Sequence, residues 1–192
     1  MAAPLMLRVA AALCALLAAA PAVSQSWQAN QQSGQLRFVA TQAGAKFSGH
    51  FGEFKVHMEF DAGSPAQARL DVTIAMPSAD TADAERDEVL QGRDFFWVTR
   101  FPEARYHAEG FKQQGKEWLA TGTLTLRGVT QPVAVRFQLK PQSGSLDMKG
   151  GATLRRLEFG VGQGDWASTT WIGDVVDVAF ELWLQPAAAS GP

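Results

Sequence analysis

Alternation of apolar and polar residues runs through most of the chain after its first two dozen residues. Three long segments, 68–76, 132–140 and 175–184, place aliphatic or phenylalanine side chains on one face and charged or polar side chains on the other. Because successive side chains of a β-strand point to opposite faces, these segments are predicted to be strands with one apolar face. Shorter segments with the same pattern are 36–40, 46–51, 54–61, 105–111, 117–126 and 146–159.

Turn residues separate these segments and set the fold class. The predicted turns are AGSP at 62–65, QQGK at 113–116, PQSGS at 141–145 and GQGD at 162–165. Eight or more short strands at this spacing predict an all-β protein, either an antiparallel barrel or a sandwich. The segment GTLTLRGVTQPVAVRF, 122–137, is predicted to be a hairpin whose Pro132 begins a strand or lies at a sheet edge.

One segment breaks the alternation, SADTADAERDEVLQGRDFF at 78–96. Asp80 or Thr81 is a candidate N-cap, acidic residues follow in the first turns, and Gly92 is a stop signal. The apolar Val89 and Leu90 are spaced from Ala82 as on a helix. We therefore predict one inserted helix near residues 80–91.

The first 24 residues have the composition of an export signal. A single cation, Arg8, precedes an Ala/Leu/Val run, and small residues follow up to Ser24. Cleavage after Ser24 is expected to deliver the protein to the periplasm and to remove Cys14, its only cysteine. Residues 25–186 are then expected to form one domain, with a short disordered tail at 187–192.

Composition and charge narrow the class of partner. The 192 residues are 46% hydrophobic, and 17 Lys and Arg against 19 Asp and Glu give a net charge of -2. No basic field is present for phosphate backbones, so nucleic acid is not expected as a partner. The 12 Phe and 6 Trp, against a single Tyr, predict an apolar interior. Alternation alone leaves open whether that interior is a packed core or a lined cavity.

No pattern of residues predicts a catalytic or metal site. His50, His57 and His107 lack the spacing of metal ligands, and no G-x-S-x-G motif is present. The acidic residues at 80–88 are explained by the predicted helix N-terminus. The glycines of FGVGQGD, 159–165, fit a bend between strands. We predict no catalytic residue, no metal, no cofactor and no enzymatic activity.

Five sequence blocks are together specific enough to resemble a known family: 48–61, 85–111, 122–135 with its G-x-L-T-x-x-G-x-T-x-P-V pattern, 155–162 and 172–182. In chain order they resemble the YceI-like family of exported lipid- or polyisoprenoid-binding proteins, and the pattern in 122–135 is the most specific. Two positions depart from that family: Val89 stands where a histidine is common, and Trp97 stands where an aspartate is common.

The resemblance implies a lipocalin-like antiparallel barrel of about eight strands that binds, carries or stores an elongated apolar lipid. The implied ligand is a polyisoprenoid, an isoprenoid quinone or a fatty-acyl lipid, and transient contact with a membrane is expected. The alternatives are a filled structural or interaction barrel, or an enzyme acting on a lipidic substrate. The residues predicted to form the core or the ligand-binding wall are Phe38, Phe54, Val56, Met58, Leu70, Val72, Ile74, Phe95, Phe96, Leu124, Leu126, Val133, Val135, Phe137, Val178, Phe180 and Leu182.

Overall fold

The computed structural model describes residues 25–187 and contains eleven strands and one α-helix in that range. The predicted export signal and residues 188–192 of the predicted tail lie outside the described residues. Four short 3-10 turns lie at Pro65–Gln67, Met76–Ser78, Arg156–Phe159 and Gly164–Ala167. The strands are β1 Gln25–Asn30, β2 Gly34–Gln42, β3 Ala45–Phe51, β4 Phe54–Phe60, β5 Arg69–Ala75, β6 Ala79–Asp80, β7 Glu103–Gln114, β8 Glu117–Leu126, β9 Val129–Gln142, β10 Ser145–Arg155 and β11 Val175–Pro186, and the helix is α1 Ala84–Gln91.

The eleven strands form a closed antiparallel barrel with eight walls. In three of the walls, two short strands follow one another along the same wall. These are β1 and β2, β3 and β4, and β5 and β6. Each remaining strand pairs with its neighbour in the chain. The barrel closes where β11 returns to pair with both β1 and β2, Trp27 opposite Pro186 and Phe38 opposite Val178. The predicted barrel of about eight strands with one inserted helix is confirmed.

The hairpin predicted at 122–137 is β8 and β9. Its two turn residues, Arg127 and Gly128, both have positive φ, 52° and 76°, as a two-residue turn between right-twisted strands requires. A Cβ at Gly128 would lie 2.7 Å from Phe101 Cε1, so this position also needs glycine for space. β9 pairs with β10 only from Arg136 onward, so at Pro132 the β10 side of β9 is an open edge. The missing N–H of Pro132 therefore costs no hydrogen bond to β10.

The alternating connections define two ends of the barrel. The mouth end carries the connections 43–44, 76–102, 127–128 and 156–174, and the closed end carries 61–68, 115–116 and 143–144. Aromatic rings fill the closed end. Phe60 stacks on Phe111 at 5.9 Å and meets Trp118 edge-on at 5.1 Å, while Phe111 meets Phe137 edge-on at 5.3 Å. The packed core therefore lies at this end.

The helix begins later than the sequence predicts. Its N-cap is Asp83, whose carboxylate accepts a hydrogen bond from the Arg86 backbone N–H at 3.1 Å. The predicted caps Asp80 and Thr81 are wrong because Asp80 belongs to β6, paired with β3. Thr81 donates from its backbone N and its Oγ1 to Asp87. Gly92 ends the helix as predicted.

The structure shortens one predicted strand and adds two strands that were not predicted. The segment 146–159 is extended only as far as Arg155, because Arg156–Phe159 turns inward as a 3-10 segment with Arg156 and Phe159 buried. Strands β1 and β6 were not predicted from the sequence. β1 lies against the predicted cleavage point, and β6 is only two residues long, too short to show alternation.

Candidate functional site

An apolar cavity of about 400 Å³ occupies the barrel between the packed aromatic rings and the mouth end. The inward faces of the strands form its walls, and α1 and the 156–174 connection cover it. Fifteen of the predicted wall residues line it, and their contact with a ligand remains a prediction. They are Phe38, Phe54, Val56, Leu70, Val72, Ile74, Phe95, Phe96, Leu124, Leu126, Val133, Val135, Val178, Phe180 and Leu182.

The structure places Met58 and Phe137 outside the cavity lining. Both point inward as predicted, with 0% and 1% of their surface exposed, but they pack into the closed end. Alternation identifies the inward face of a strand but not the depth of a residue along the barrel axis. These two residues are therefore assigned to the packed core and not to the ligand wall.

Other cavity residues were not predicted. Some, such as Leu36, Ala40 and Val176, continue the alternating inward faces of β2 and β11 and could have been found by extending those faces. Others lie in irregular segments where no periodicity marks them. Those are Phe159, Val161, Trp166 and Ile172, all in the connection between β10 and β11.

The cavity reaches solvent between the end of β2 and α1, because exposed Gln42, Glu85 and Val89 contribute to its lining. Arg86 spans this opening. Its Nη2 donates to Asp83 Oδ2 at 2.9 Å, its Nε donates to Gln42 Oε1 at 3.3 Å, and its guanidinium carbon lies 4.4 Å from the Phe47 ring centroid. The opening is thus the polar rim of an otherwise apolar cavity.

A buried arginine organises the connection that covers the cavity. Arg156 is 5% exposed. Its Nε donates to the Gly173 carbonyl at 3.0 Å, and Nη1 donates to the Val161 carbonyl at 2.8 Å. Its Nη2 donates to the carbonyls of Trp166 and Ile172 at 2.8 and 2.9 Å. Burial lowers the pKa of Arg156, and the nearby carboxylate of Asp174 opposes that shift. The side chain fixes the cover by hydrogen bonds to backbone carbonyls.

Tyr106 is the tyrosine of the chain and lies in the cavity wall. Its hydroxyl is 3.1 Å from the Ala120 carbonyl and 3.2 Å from the Val133 carbonyl, so its single proton has two acceptors. Burial raises its pKa to about 12, and a backbone hydrogen bond from Gly122 acts in the opposite direction. At neutral pH the hydroxyl is an uncharged donor already occupied by the barrel wall.

The described cavity lining contains no Ser, Thr, Cys, His or Lys side chain. The three histidines are exposed on the outside; His107 Nδ1 lies 2.7 Å from Asp71 Oδ1. Within residues 25–187, no three His, Cys, Asp or Glu side chains converge as metal ligands would. Nor does that range contain a helix long and apolar enough to cross a membrane. The carboxylates of the described lining are Asp83 and Glu85 at the rim, and Asp83 is engaged as the N-cap of α1 and by Arg86.

Comparison with known proteins places this geometry in context. The model of the YceI-like domain matches residues 27–184. A UPF0312 protein of Photorhabdus laumondii is 40% identical over 91 residues, 47% of this chain and 47% of that protein. Protein YceI of Shigella flexneri is 41% identical over 91 residues, 47% of this chain and 48% of that protein. The chain thus spans about half the length of these curated relatives.

Solved structures share the barrel over most of their length. BcnA of Burkholderia cenocepacia superposes with a TM-score of 0.78 at 25% identity, covering 81% of this chain and 98% of that one. A polyisoprenoid binding domain from Saccharophagus degradans gives a TM-score of 0.65 at 12% identity, covering 85% of this chain and 99% of that one. At that identity the second likeness concerns the fold alone.

Proposed function

Because the chain belongs to the YceI-like domain family, we propose that it binds an elongated apolar lipid in the barrel cavity and carries or stores it. The observation that carries this proposal is the cavity itself. Its walls are aliphatic and aromatic, its polar side chains are at the rim and in the cover apart from Tyr106, whose hydroxyl bonds to the wall itself, and one side opens to solvent. A single apolar ligand in the mouth of an eight-stranded barrel is a recurrent use of this architecture.

The filled-barrel alternative is supported less well. At the mouth end, aliphatic and aromatic side chains surround a cavity of about 400 Å³ instead of filling the barrel, although interiors normally pack densely. An interaction barrel would also need an apolar patch on its outer wall. The outward Val175 and Trp183 are about half exposed, but they stand near opposite ends of β11 and form no continuous surface.

The free energy of lipid burial favours reversible binding of the lipid over irreversible uptake. Each buried CH₂ gains about 0.8 kcal/mol relative to water, so a chain of about twenty carbons gains on the order of 16 kcal/mol before ordering costs. A bilayer offers the lipid a similar gain. Transfer between the cavity and a membrane is therefore close to balanced, and we propose that exchange occurs during transient membrane contact.

The proposed ligand classes are polyisoprenoids, isoprenoid quinones and fatty-acyl lipids. All three combine a long apolar chain with at most a small polar head. The polar rim residues Gln42, Asp83, Glu85 and Arg86 lie at the opening where such a head would emerge. Catalysis on such a lipid is not proposed, since the described lining holds no Ser, Thr, Cys, His or Lys side chain and its Asp83 carboxylate is engaged by Arg86.

We also propose that the protein acts in the periplasm after removal of residues 1–24. The sequence pattern of that segment supports the proposal, and sequencing the N-terminus of the protein recovered from the exporting compartment tests it. A first residue at or near Gln25 is expected. Recovery of the protein with Met1 or the apolar segment intact would contradict it.

Native mass spectrometry followed by organic extraction tests the lipid-binding proposal. The mature protein is purified from a bacterial periplasm, and Val135→Trp, which places an indole in the cavity, is compared with His57→Gln on the outer wall. We expect a stoichiometric apolar adduct in the wild type and the His57 variant, reduced in the Val135 variant. A wild-type protein that stays free of adduct after incubation with lipid extract would refute the proposal.

A further inference from the structure

Three arginines surround one tryptophan at the mouth end. The guanidinium carbons of Arg93, Arg100 and Arg127 lie 5.2, 4.8 and 5.9 Å from the Trp97 ring centroid. Phe101 packs edge-on against the same ring at 5.7 Å. Among the described residues, no carboxylate lies within 4.0 Å of any of these guanidinium groups. We call these four residues, Arg93, Trp97, Arg100 and Arg127, the Trp97 cluster.

The backbone holds the Trp97 cluster in place at a conformational cost. Trp97 and Arg127 have φ of 48° and 52°, a left-handed conformation that bulky residues rarely adopt. Trp97 N donates to the Gly92 carbonyl at 2.8 Å, and Arg127 Nη2 donates to the Arg93 carbonyl at 2.8 Å. Arg127 Nε is buried without a hydrogen-bond partner in the described chain. The hairpin turn accounts for the φ of Arg127, so the left-handed Trp97 and the unpaired Arg127 Nε are the two unusual features of this place, and such features cluster at functional sites.

The acidic residues of the neighbouring helix are largely engaged elsewhere. Asp83 caps α1 and pairs with Arg86, and Asp87 accepts from Thr81. Exposed carboxylates of the adjoining segments include Glu85 and Glu88 on α1 and Asp94 beside Arg93. The positive charge is local: three guanidinium groups gather around the Trp97 ring where the chain leaves α1.

We propose that the Trp97 cluster docks the mouth end of the barrel on the surface of an anionic phospholipid membrane. Arginine and tryptophan together match the headgroup region, where guanidinium groups pair with phosphates and indole rings are favoured. Val89 and Trp171, which are 40% and 64% exposed, lie at the same end and add apolar surface. Docking in this orientation turns the cavity opening beside α1 toward the bilayer.

The test is co-sedimentation with vesicles of phosphatidylcholine alone or mixed with phosphatidylglycerol. The variant Arg93→Gln/Arg100→Gln is compared with Arg37→Gln/Arg136→Gln on the exposed outer wall, which changes the net charge equally. We expect wild-type binding to phosphatidylglycerol vesicles that weakens as salt rises, and about a 30-fold loss for the cluster variant, as two arginines near an anionic surface imply. The outer-wall variant should bind like the wild type.

Equal losses in both variants, or no binding of the wild type to anionic vesicles, would overturn the docking inference. So would binding of inorganic phosphate by the cluster without any vesicle binding. The inference rests on the proposed exchange of lipid with a membrane, but the two fail separately. Native mass spectrometry of the same protein preparations measures whether the cavity holds a lipid. A lipid-loaded protein that does not bind vesicles contradicts docking alone. A lipid-free protein that binds vesicles contradicts lipid carriage alone.

Discussion

The two ends of this barrel use the same alternating strands to opposite effect. At the closed end, the inward positions hold Phe60, Phe111, Trp118 and Phe137, whose rings meet across the axis and exclude solvent and ligand alike. At the mouth end, the inward positions hold valines such as Val72 and Val178 together with phenylalanines such as Phe38 and Phe180, and these side chains leave a cavity between them. The packed half of the barrel thus differs from the half with the cavity in whether the inward side chains meet across the axis.

The two ends also differ in how they are covered. Two of the three connections at the closed end are two-residue turns, the third is 61–68, and aromatic rings fill the core beneath them. The mouth end is covered by α1 and by a long connection whose shape depends on hydrogen bonds from Arg156 to four or more backbone carbonyls. Stability is thus expected to reside mainly at the closed end, and ligand binding at the mouth end.

The largest expected difference in stability between the two ends comes from truncating one phenylalanine at each of them. Phe137→Ala removes a side chain that is 1% exposed and should lower the free energy of unfolding by about 4 kcal/mol. Phe180→Ala, at the half-buried cavity wall, should cost about 1 kcal/mol in the lipid-free protein, because one side of its ring has no packing partner to lose. Chemical denaturation of both variants after delipidation provides the measurement. Equal losses would mean that the cavity end is packed like the core.

Removing the buried guanidinium tests the cover of the cavity. Arg156→Met leaves several carbonyls without their donor and should lower the free energy of unfolding by about 3 kcal/mol. Its control is Arg155→Met, which removes an exposed side chain that pairs with Asp174 at 3.1 Å and should cost under about 1 kcal/mol. Hydrogen exchange should show the loss of protection confined to 156–174. Faster exchange at the closed end instead would contradict this division of the barrel.

Enlarging an alanine should have opposite consequences at the two ends. Ala120 is 0% exposed beneath the packed rings, so Ala120→Leu should destabilise the protein by about 2 kcal/mol through overpacking. Ala152 lines the cavity, and Ala152→Leu should leave stability nearly unchanged while it reduces the amount of bound lipid. Thermal unfolding and lipid extraction together separate the two results. Undiminished lipid in the Ala152 variant would place the ligand elsewhere.

The smallest expected effect concerns pH. The raised pKa of Tyr106, about 12, means that the folded protein holds this proton more tightly than the unfolded chain does. The resulting stability is fully present below pH 10, the unfolded value, and is lost as pH rises from 10 through 12, by about 1 kcal/mol after allowance for partial burial. Because Tyr106 is the only tyrosine, tyrosinate absorbance follows it directly. Titration near pH 10 in the folded protein, or no difference from Tyr106→Phe in alkaline stability, would contradict the assignment.

Much of the barrel was predictable because its strands alternate strictly. The inward faces of β5, β9 and β11 follow from period-two patterning alone, and the hairpin at Arg127–Gly128 follows from its turn residues. The start of α1 did not follow, since Asp80, Thr81 and Asp83 are all good caps, and only the pairing of β6 with β3 determines which of them is used.

The candidate site was predictable in part for a related reason. Faces identify the wall but not its depth, so Met58 and Phe137 could not be separated from Val72 or Leu124 by periodicity. The cover of the cavity carries no periodic signal after Phe159, the alternation across 156–159 predicts a strand that the structure lacks, and Arg156 in the sequence resembles any surface arginine. Its role emerges only when the chain brings the carbonyls of 161–173 around it.

The central claim is that the mouth end holds a ligand cavity and the closed end is packed. Locating a bound lipid tests this claim most directly. Intermolecular nuclear Overhauser effects between an isoprenoid alcohol and methyl-labelled protein provide that measurement. The account predicts contacts to the methyl groups of Val72, Ile74, Leu124 and Val178, and none to Leu146 or Leu184 at the closed end. Contacts at Leu146 and Leu184, or none in the cavity with the lipid bound, would contradict it.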